Sequence, residues 1–206
     1  MSARLEAREL ACVRGTATLF RGVSLAVAPG EWVAVRGPNG SGKTTLLRCI
    51  AGLTRPEHGS VLWDGEPIAA LRARYNAHLL YAGHLAGLKD DLDAEENLRC
   101  ALRLRGVAVP DPAIRDALAD VGLERHRRLP ARRLSAGQRR RIGLARLILD
   151  PAALWALDEP LTALDDAGQR LFERLLERHL ATGGLALVAT HHDLALAPAR
   201  VVGMGP

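Results

Sequence analysis

The segment GPNGSGKTT at 37–45 combines glycines, a lysine and two threonines at a spacing that suits phosphate binding. It matches the pattern G-x-x-x-x-G-K-[ST], in which glycines let successive backbone N–H groups turn toward phosphate oxygens. The positive end of the following helix would add to the attraction. We expect Lys43 to reach the β- and γ-phosphates and Thr44 to ligate Mg²⁺; the alternative is a plain glycine-rich turn. The candidate phosphate-binding residues are Gly37, Pro38, Asn39, Gly40, Ser41, Gly42, Lys43, Thr44 and Thr45.

A second segment, ALWALDEP at 153–160, is an apolar run that ends in two carboxylates. Charges at the end of a buried strand are costly unless a cation compensates them. Asp158 is therefore expected to hold Mg²⁺ through water, and Glu159 to act as general base on an attacking water. A carboxylate that only caps the next helix is the alternative interpretation.

Two further segments carry polar groups that suit an anion. In LSAGQRRRIGLARLIL, Ser135 and Gly137 precede a helical pattern and fit either a helix cap or a second anion site. We expect the arginines at 139–141 to form mainly a solvated helix face, and contact with a partner is the alternative. In VATHHD, His191 follows an apolar strand and is either structural or a contact to the γ-phosphate that orients the catalytic carboxylate.

These segments must be positioned by strands and helices that alternate along the chain. LEARELACV, VSLAVA, EWVAVRG, SVLWDG, HLLYAG, AALWALD and LALVAT have the texture of strands. Between about residues 90 and 130 the pattern becomes helical, opening at Asp93 and Glu96 with capping-box spacing. The alternation predicts an α/β fold with a mostly parallel sheet, and a single domain over 1–206 in which a helical block is inserted.

The amino-acid composition limits the possible partners and cellular compartment of the chain but does not identify its function. A chain of 206 residues with a net charge of +5 favours anionic partners such as nucleotides, nucleic acid or a membrane face. The three cysteines are widely spaced, which argues against a disulfide framework or a zinc site and favours a reducing compartment. We expect no signal peptide at the N-terminus, and no apolar run approaches the ~20 residues of a spanning helix.

Taken together, these motifs make the chain resemble an ABC-type ATPase over nearly its whole length. GPNGSGKTT is similar to the Walker A loop, ALWALDEP to Walker B with the catalytic glutamate, and LSAGQ to the signature, with Ala136 where glycine is commoner. LTALD resembles the D-loop, which adds Asp165, and His191 resembles the switch histidine. The resemblance implies a P-loop core with an N-terminal antiparallel β portion and a helical subdomain at about 88–150.

The resemblance also implies a mechanism that needs two copies of the chain. The two domains would pair head to tail and enclose two ATP molecules, each with Mg²⁺. Ser135 and Gly137 of one copy would complete the γ-phosphate site that the Walker motifs and His191 build in the other. We expect no binding of nucleic acid.

Two positions depart from the usual pattern of this family. Arg14 stands where an aromatic side chain normally stacks on adenine, and it is either a stacking guanidinium or a surface residue. His84 stands where the Q-loop glutamine is expected, and it either takes over that role or packs at a strand end. As a catalytic-site residue, His84 would act as a neutral imidazole through water.

The departures narrow the resemblance to the ATP-binding subunits of bacterial cytochrome c biogenesis, which export haem. That resemblance implies an integral-membrane permease partner, a peripheral location at the cytoplasmic face of the inner membrane, and no haem binding by this chain. Other small-molecule exporters are the first alternative. A soluble ABC ATPase acting on nucleic acid or the ribosome is a second, and a nucleotide-binding module without turnover is a third.

Overall fold

The computed structural model describes residues 4–15, 17–83 and 87–205. The chain divides into two compact units, which are described separately below. The first contains the described residues up to 83, together with 152–160 and 177–205, and the second contains 87–151 and 161–176. His84 and the side chain of Arg14, both singled out in the sequence, lie outside the described part.

An antiparallel sheet forms one half of the first unit. Its strands pair in the order β2-β1-β4-β5. They are β1 (Leu5–Arg14), β2 (Ala17–Val27), β4 (His58–Trp63) and β5 (Glu66–Pro67). The alternating apolar residues of β1 lie in the core while several of those between them are exposed, as expected for a sheet with one solvated face. The predicted N-terminal strands are therefore confirmed.

A parallel sheet in the order β6-β7-β8-β3-β9 forms the other half. Its strands are β3 (Trp32–Arg36), β6 (Leu79–Ala82), β7 (Leu154–Asp158), β8 (Leu185–Ala189) and β9 (Arg200–Gly203). The three inner strands are almost continuously apolar and buried, which is typical of a parallel strand covered on both faces. In this sheet only β9, a short edge strand with little apolar periodicity, was not predicted from the sequence; the two-residue β5 of the other sheet was not predicted either.

Among the residues that the structure describes, three helices belong to the first unit alone, and the longest packs into its core. Helix α1 (Lys43–Ile50) buries Leu46, Leu47 and Ile50 in the same cluster as both sheets. Each such side chain stabilises the fold by roughly 1.5–3 kcal/mol. The helices α2 (Ile68–Leu71) and α3 (Ala73–His78) were not predicted, because four to six residues are too few for a helical period to stand out.

A close ring contact joins β7 to the last part of the helix Asp166–Ala181, which belongs to the first unit. The rings of Trp155 and His179 stack with centroids 3.9 Å apart and 7° between their planes. A Cβ atom on Gly184 would lie 2.3 Å from the His179 ring, so only glycine fits there without rearrangement. Burial lowers the pKa of the His179 imidazole, which favours its neutral form.

The second unit is helical. It contains α4 (Ala94–Leu104), α5 (Asp111–Asp120), α6 (Ala136–Leu149) and the first part of α7 (Asp166–Ala181), with short 3-10 turns at Glu124–His126 and Ala131–Arg133. The predicted helical block is confirmed as secondary structure. Across the described ranges, no helix has the length and apolar character needed to span a membrane.

Candidate nucleotide-binding site

The loop at 37–42 joins β3 to α1 and is shaped by close backbone packing. A Cβ atom on Gly37 would lie 2.1 Å from the carbonyl oxygen of Met204, so a side chain there would displace the loop. Gly42 has φ of +95° and precedes α1 without a side-chain cap, which leaves the first N–H groups of the helix available. The sequence prediction of a loop between strand and helix is confirmed.

Lys43 folds back over this loop. Its Nζ donates to the carbonyl oxygens of Gly37 at 2.7 Å and Pro38 at 3.2 Å, and only 7% of the residue is exposed. Its ammonium group is therefore held against the loop backbone, and the three donors of a lysine can serve phosphate oxygens there. The position fits the predicted contact with the β- and γ-phosphates.

Thr44 and Asp158 bring two oxygen ligands together at the start of α1. The Thr44 hydroxyl donates to Asp158 Oδ2 at 2.7 Å, and Asp158 is only 2% exposed at the end of β7. Hydroxyl and carboxylate oxygens are the ligand types that Mg²⁺ prefers. Within the described ranges no cluster of three or more His, Cys, Asp or Glu side chains could hold a metal ion. A metal here would therefore take its remaining ligands from phosphate and water.

A buried hydroxyl in the loop also fits a phosphate. Ser41 Oγ is inaccessible to solvent and has no hydrogen-bond partner among the described residues. A buried polar atom without a partner is uncommon, because it costs about 1–3 kcal/mol. A phosphate oxygen at the loop would give this hydroxyl an acceptor.

Glu159 and His191 lie next to Lys43 at the ends of neighbouring strands. His191 Nε2 lies 3.0 Å from Lys43 Nζ and 3.3 Å from Glu159 Oε1. Glu159 has φ of +51°, which is uncommon outside glycine, and its N–H donates to the Ala189 carbonyl at 2.8 Å. Strained backbone of this kind is frequent at functional sites. The structure thus brings Glu159 and His191 together, with His191 next to Lys43. His84, the third catalytic candidate, lies outside the described residues.

The start of α6 carries the candidate anion contacts of the second unit. The Ser135 hydroxyl accepts from the N–H of Gln138 at 3.2 Å, and the Gln138 side chain accepts from the N–H of Ser135 at 2.9 Å. The capping-box interpretation is confirmed. Ser135 and Ala136 are exposed, so this helix start is open to solvent. A role of Ser135 and Gly137 toward a nucleotide stays a prediction.

The expected solvated arginine face is wrong for Arg141. Only 20% of its side chain is exposed, because the guanidinium donates to the Val121 carbonyl at 2.8 Å and to Asp165 Oδ1 at 2.7 Å. The N–H of Gly168 and the Arg141 guanidinium hold the pKa of the Asp165 carboxyl below its usual range. Arg139 is paired as well, at 3.2 Å from Asp90.

Sequence reasoning also missed Asn97, which organises the loop that precedes α4. Its side chain accepts from the N–H of Lys89 at 2.8 Å and donates to the carbonyls of Lys89, Leu92 and Asp93 at 3.0–3.1 Å. The asparagine is 5% exposed inside an amphipathic helix. The signal that could have identified Asn97 is a polar residue on the apolar side of a helical pattern.

Comparisons with known proteins identify relatives of this chain. A family model described as ABC transporter matches residues 20–162. The chain is 51% identical over 192 residues to the cytochrome c biogenesis ATP-binding export protein CcmA of Methylococcus capsulatus, and the match covers 93% of each chain. It is 48% identical over 197 residues to CcmA of Nitrosomonas europaea, which covers 96% of this chain and 92% of that one.

The fold also matches solved structures. One is the dimeric, post-hydrolysis structure of the ATP-binding cassette MJ0796 bound to ADP and Pi, with a TM-score of 0.81 and 25% sequence identity. The match covers 97% of this chain and 94% of that one. The predicted α/β class, with a parallel sheet, an antiparallel β portion and added helices, is confirmed.

Proposed function

Because the chain belongs to the ABC transporter family, and within it to the cytochrome c biogenesis ATP-binding export proteins, we propose that it hydrolyses ATP to power such an exporter. The cargo in this proposal is haem, which is exported or delivered to a periplasmic haem chaperone. The names of the relatives support the export role, and the site geometry supports the ATP chemistry.

The observation that carries the proposal is the group of reactive side chains around Lys43. The backbone of the loop at 37–42 and the ammonium of Lys43 bind and orient the phosphates. Mg²⁺, held by Thr44 and Asp158, would neutralise charge on the β- and γ-phosphate oxygens. Glu159 accepts a proton from the attacking water, and His191 holds the carboxylate of Glu159 and contacts the γ-phosphate.

A second copy of the chain completes the site in this proposal. Ser135 presents its hydroxyl, and Gly137 its backbone N–H, to the γ-phosphate bound by the other copy. Asp165, on the loop before α7, adds a further polar group to the nucleotide site. The dimeric, ADP-bound structure of a related cassette supports such an arrangement. Turnover then depends on the dimer, because neither copy holds a whole site.

The remaining assignments concern the outer parts of the site. Arg14 stacks on adenine through its guanidinium, and His84 takes the place of the Q-loop glutamine between the γ-phosphate side and the membrane partner. The partner is the integral-membrane permease of the cytochrome c biogenesis complex. The chain is accordingly peripheral at the cytoplasmic face of the inner membrane, without a haem or nucleic-acid site of its own.

The proposal is tested with the substitution Glu159→Gln. We expect ATP binding to persist and turnover to fall by at least ~10²-fold, because the general base is lost. Glu177→Gln, at an exposed position of α7, is the matched control and should leave turnover unchanged. Turnover is measured by phosphate release, and haem staining of c-type cytochromes is measured in cells that depend on the variant.

The outcomes separate the two parts of the proposal. Near-normal turnover in Glu159→Gln would contradict the assignment of this glutamate. The haem role would be contradicted if the wild-type protein hydrolyses ATP and cells that carry only an inactive variant still mature cytochrome c normally. The second result would favour an exporter of another small molecule.

A further inference from the structure

The start of α6 and the loop Leu161–Asp165 pack against each other within the second unit. A Cβ atom on Gly137 would lie 2.8 Å from the carbonyl oxygen of Ala163, so glycine is needed for this approach. Arg140 Nε also donates to the Thr162 carbonyl at 3.4 Å. The backbone of the loop therefore contacts the first turn of α6 directly.

The loop holds a conformation that its own residues do not favour. Ala163 has φ of +66°, in the left-handed region, where a residue with a Cβ atom is destabilised by roughly 1–2 kcal/mol. Such a conformation persists only where the surrounding contacts determine it. The contact with Gly137 holds the middle of the loop. The end of the loop, at Asp165, needs a second contact to hold this conformation.

Arg141 supplies that fixed end. Its guanidinium joins three elements: α6, which carries it, the Val121 carbonyl at the end of α5, and the Asp165 carboxylate. The planar fork of an arginine makes two such bonds at little conformational cost. Asp165 Oδ1 also accepts from the N–H of Gly168 at 2.9 Å, so the carboxylate is anchored from two directions.

Asp165 is anchored but not covered. Its side chain is 66% exposed, while that of Arg141 is 20% exposed. An isolated surface ion pair contributes at most about 1 kcal/mol to stability, so stability alone gives little reason for this arrangement. The arrangement instead ties an exposed carboxylate to α6, the helix that begins at the exposed Ser135 cap.

From these contacts we propose that Arg141 is a positioning residue, which locks the loop 161–165 to the start of α6. Ser135 and Asp165 are thereby presented to a second copy of the chain as one rigid surface. The inference rests on the proposed function, because it assigns the second copy's nucleotide as the target of that surface. Arg141 itself touches neither the nucleotide nor the water.

The test replaces Arg141 by glutamine in the full chain. We expect kcat to fall by about tenfold or more, since small misplacements of positioned groups have effects of that size. The KM for ATP should change less than about twofold, because each copy still binds ATP through its own phosphate loop. Arg139→Gln is the matched control: it removes a neighbouring arginine that pairs with Asp90 and not with the loop.

Complementation separates positioning from a general structural role. Chains with Arg141→Gln, whose turnover is strongly reduced, are mixed with chains carrying Lys43→Ala, which should be inactive alone. One of the two sites in a mixed dimer then has an intact phosphate loop from the first chain and an intact α6 surface from the second. Recovered turnover supports the proposal, whereas a defect confined to the folding of the Arg141→Gln chain would not be rescued.

The remaining outcomes overturn the inference. Wild-type kcat in Arg141→Gln, or an equal loss in Arg139→Gln, would remove the special role of Arg141. If Arg141→Gln does not fold, Arg141→Lys retains the charge but not the fork, and wild-type kcat in that variant would also overturn it. Wild-type chains that hydrolyse ATP as monomers would instead refute the dimer in the proposed function.

Discussion

The helices α4 and α6 begin with the same local motif in two different surroundings. Asp93 caps α4 and Ser135 caps α6, each in a complete capping box with a glutamate or glutamine three residues later. Ala94, the first residue of α4, is fully buried, whereas Ala136, the first residue of α6, is exposed. A capping box thus predicts where a helix begins but does not indicate whether that helix start binds a ligand.

The difference comes from what covers each helix start. The N–H of Ala94 donates to the Arg127 carbonyl at 3.1 Å, and Glu95 beside it is 1% exposed and 3.0 Å from the Arg127 guanidinium. The segment around 127 therefore closes over the start of α4. We interpret α4 as a helix with a structural start and α6 as one whose start is available to an anion.

The largest expected effect comes from exchanging the two capping residues. Ser135→Asp and Asp93→Ser should both preserve their helices, since serine and aspartate cap about equally well. Only Ser135→Asp should reduce the rate of ATP turnover, by on the order of 10²-fold. The substitution removes a hydrogen-bond donor and adds a negative charge where phosphate is proposed to bind. Phosphate release and urea unfolding are measured on both variants.

This experiment can also break the comparison. If Ser135→Asp hydrolyses ATP at the wild-type rate, the open start of α6 is not an anion contact. If Asp93→Ser loses ATP turnover but unfolds at the same urea concentration as the wild type, the buried start of α4 has a role in turnover beyond stability.

A smaller effect is expected from removing each cap altogether. Asp93→Ala and Ser135→Ala should each lower the free energy of unfolding within the range of about 0.5–2 kcal/mol typical of lost caps. Asp93→Ala should be the more destabilising, because its carboxylate also lies 3.4 Å from the Arg128 guanidinium and the helix start is buried. Equal losses in urea unfolding would show that the covering segment adds nothing.

The smallest effect concerns α7, where Asp165 accepts from the N–H of Gly168. The pKa of Asp165 lies below its ordinary value of 3.8, so its contribution to stability is present above that pH and is lost as the pH falls through the folded-state pKa. Arg141→Gln should raise this pKa part of the way toward 3.8, because the Gly168 N–H remains. Carboxyl chemical shifts measured against pH test this, and an unchanged pKa would mean that Arg141 does not act on the carboxylate in solution.

The sequence identified the parts of the site whose chemistry is local. The phosphate loop, its Lys43, and the carboxylates at the end of β7 follow from short patterns, because strand, turn and helix are contiguous there. The parallel ends of β7 and β8 then account for the approach of His191 to Glu159. The predicted strands and longer helices were confirmed for the same reason, because each pattern lies within one contiguous segment.

What the sequence did not reveal depends on contacts between distant segments. The bond from Arg141 to Asp165 joins residues 24 positions apart, and the pair of Arg127 with Glu95 joins residues 32 apart. An arginine on a helix has the same local pattern whether its partner is water or a carboxylate from another segment. The side chains of these pairs could therefore be placed only by the fold.

The stacked pair of Trp155 and His179 has a consequence for how this chain can vary. The ring at 179 occupies the space where a side chain at 184 would begin, so a substitution at Gly184 is acceptable only together with a smaller residue at 179. The two positions should therefore covary among descendants of this sequence, with the bulk at one set by the bulk at the other. A change at one of the two positions is then compatible with the fold only when the other position changes with it.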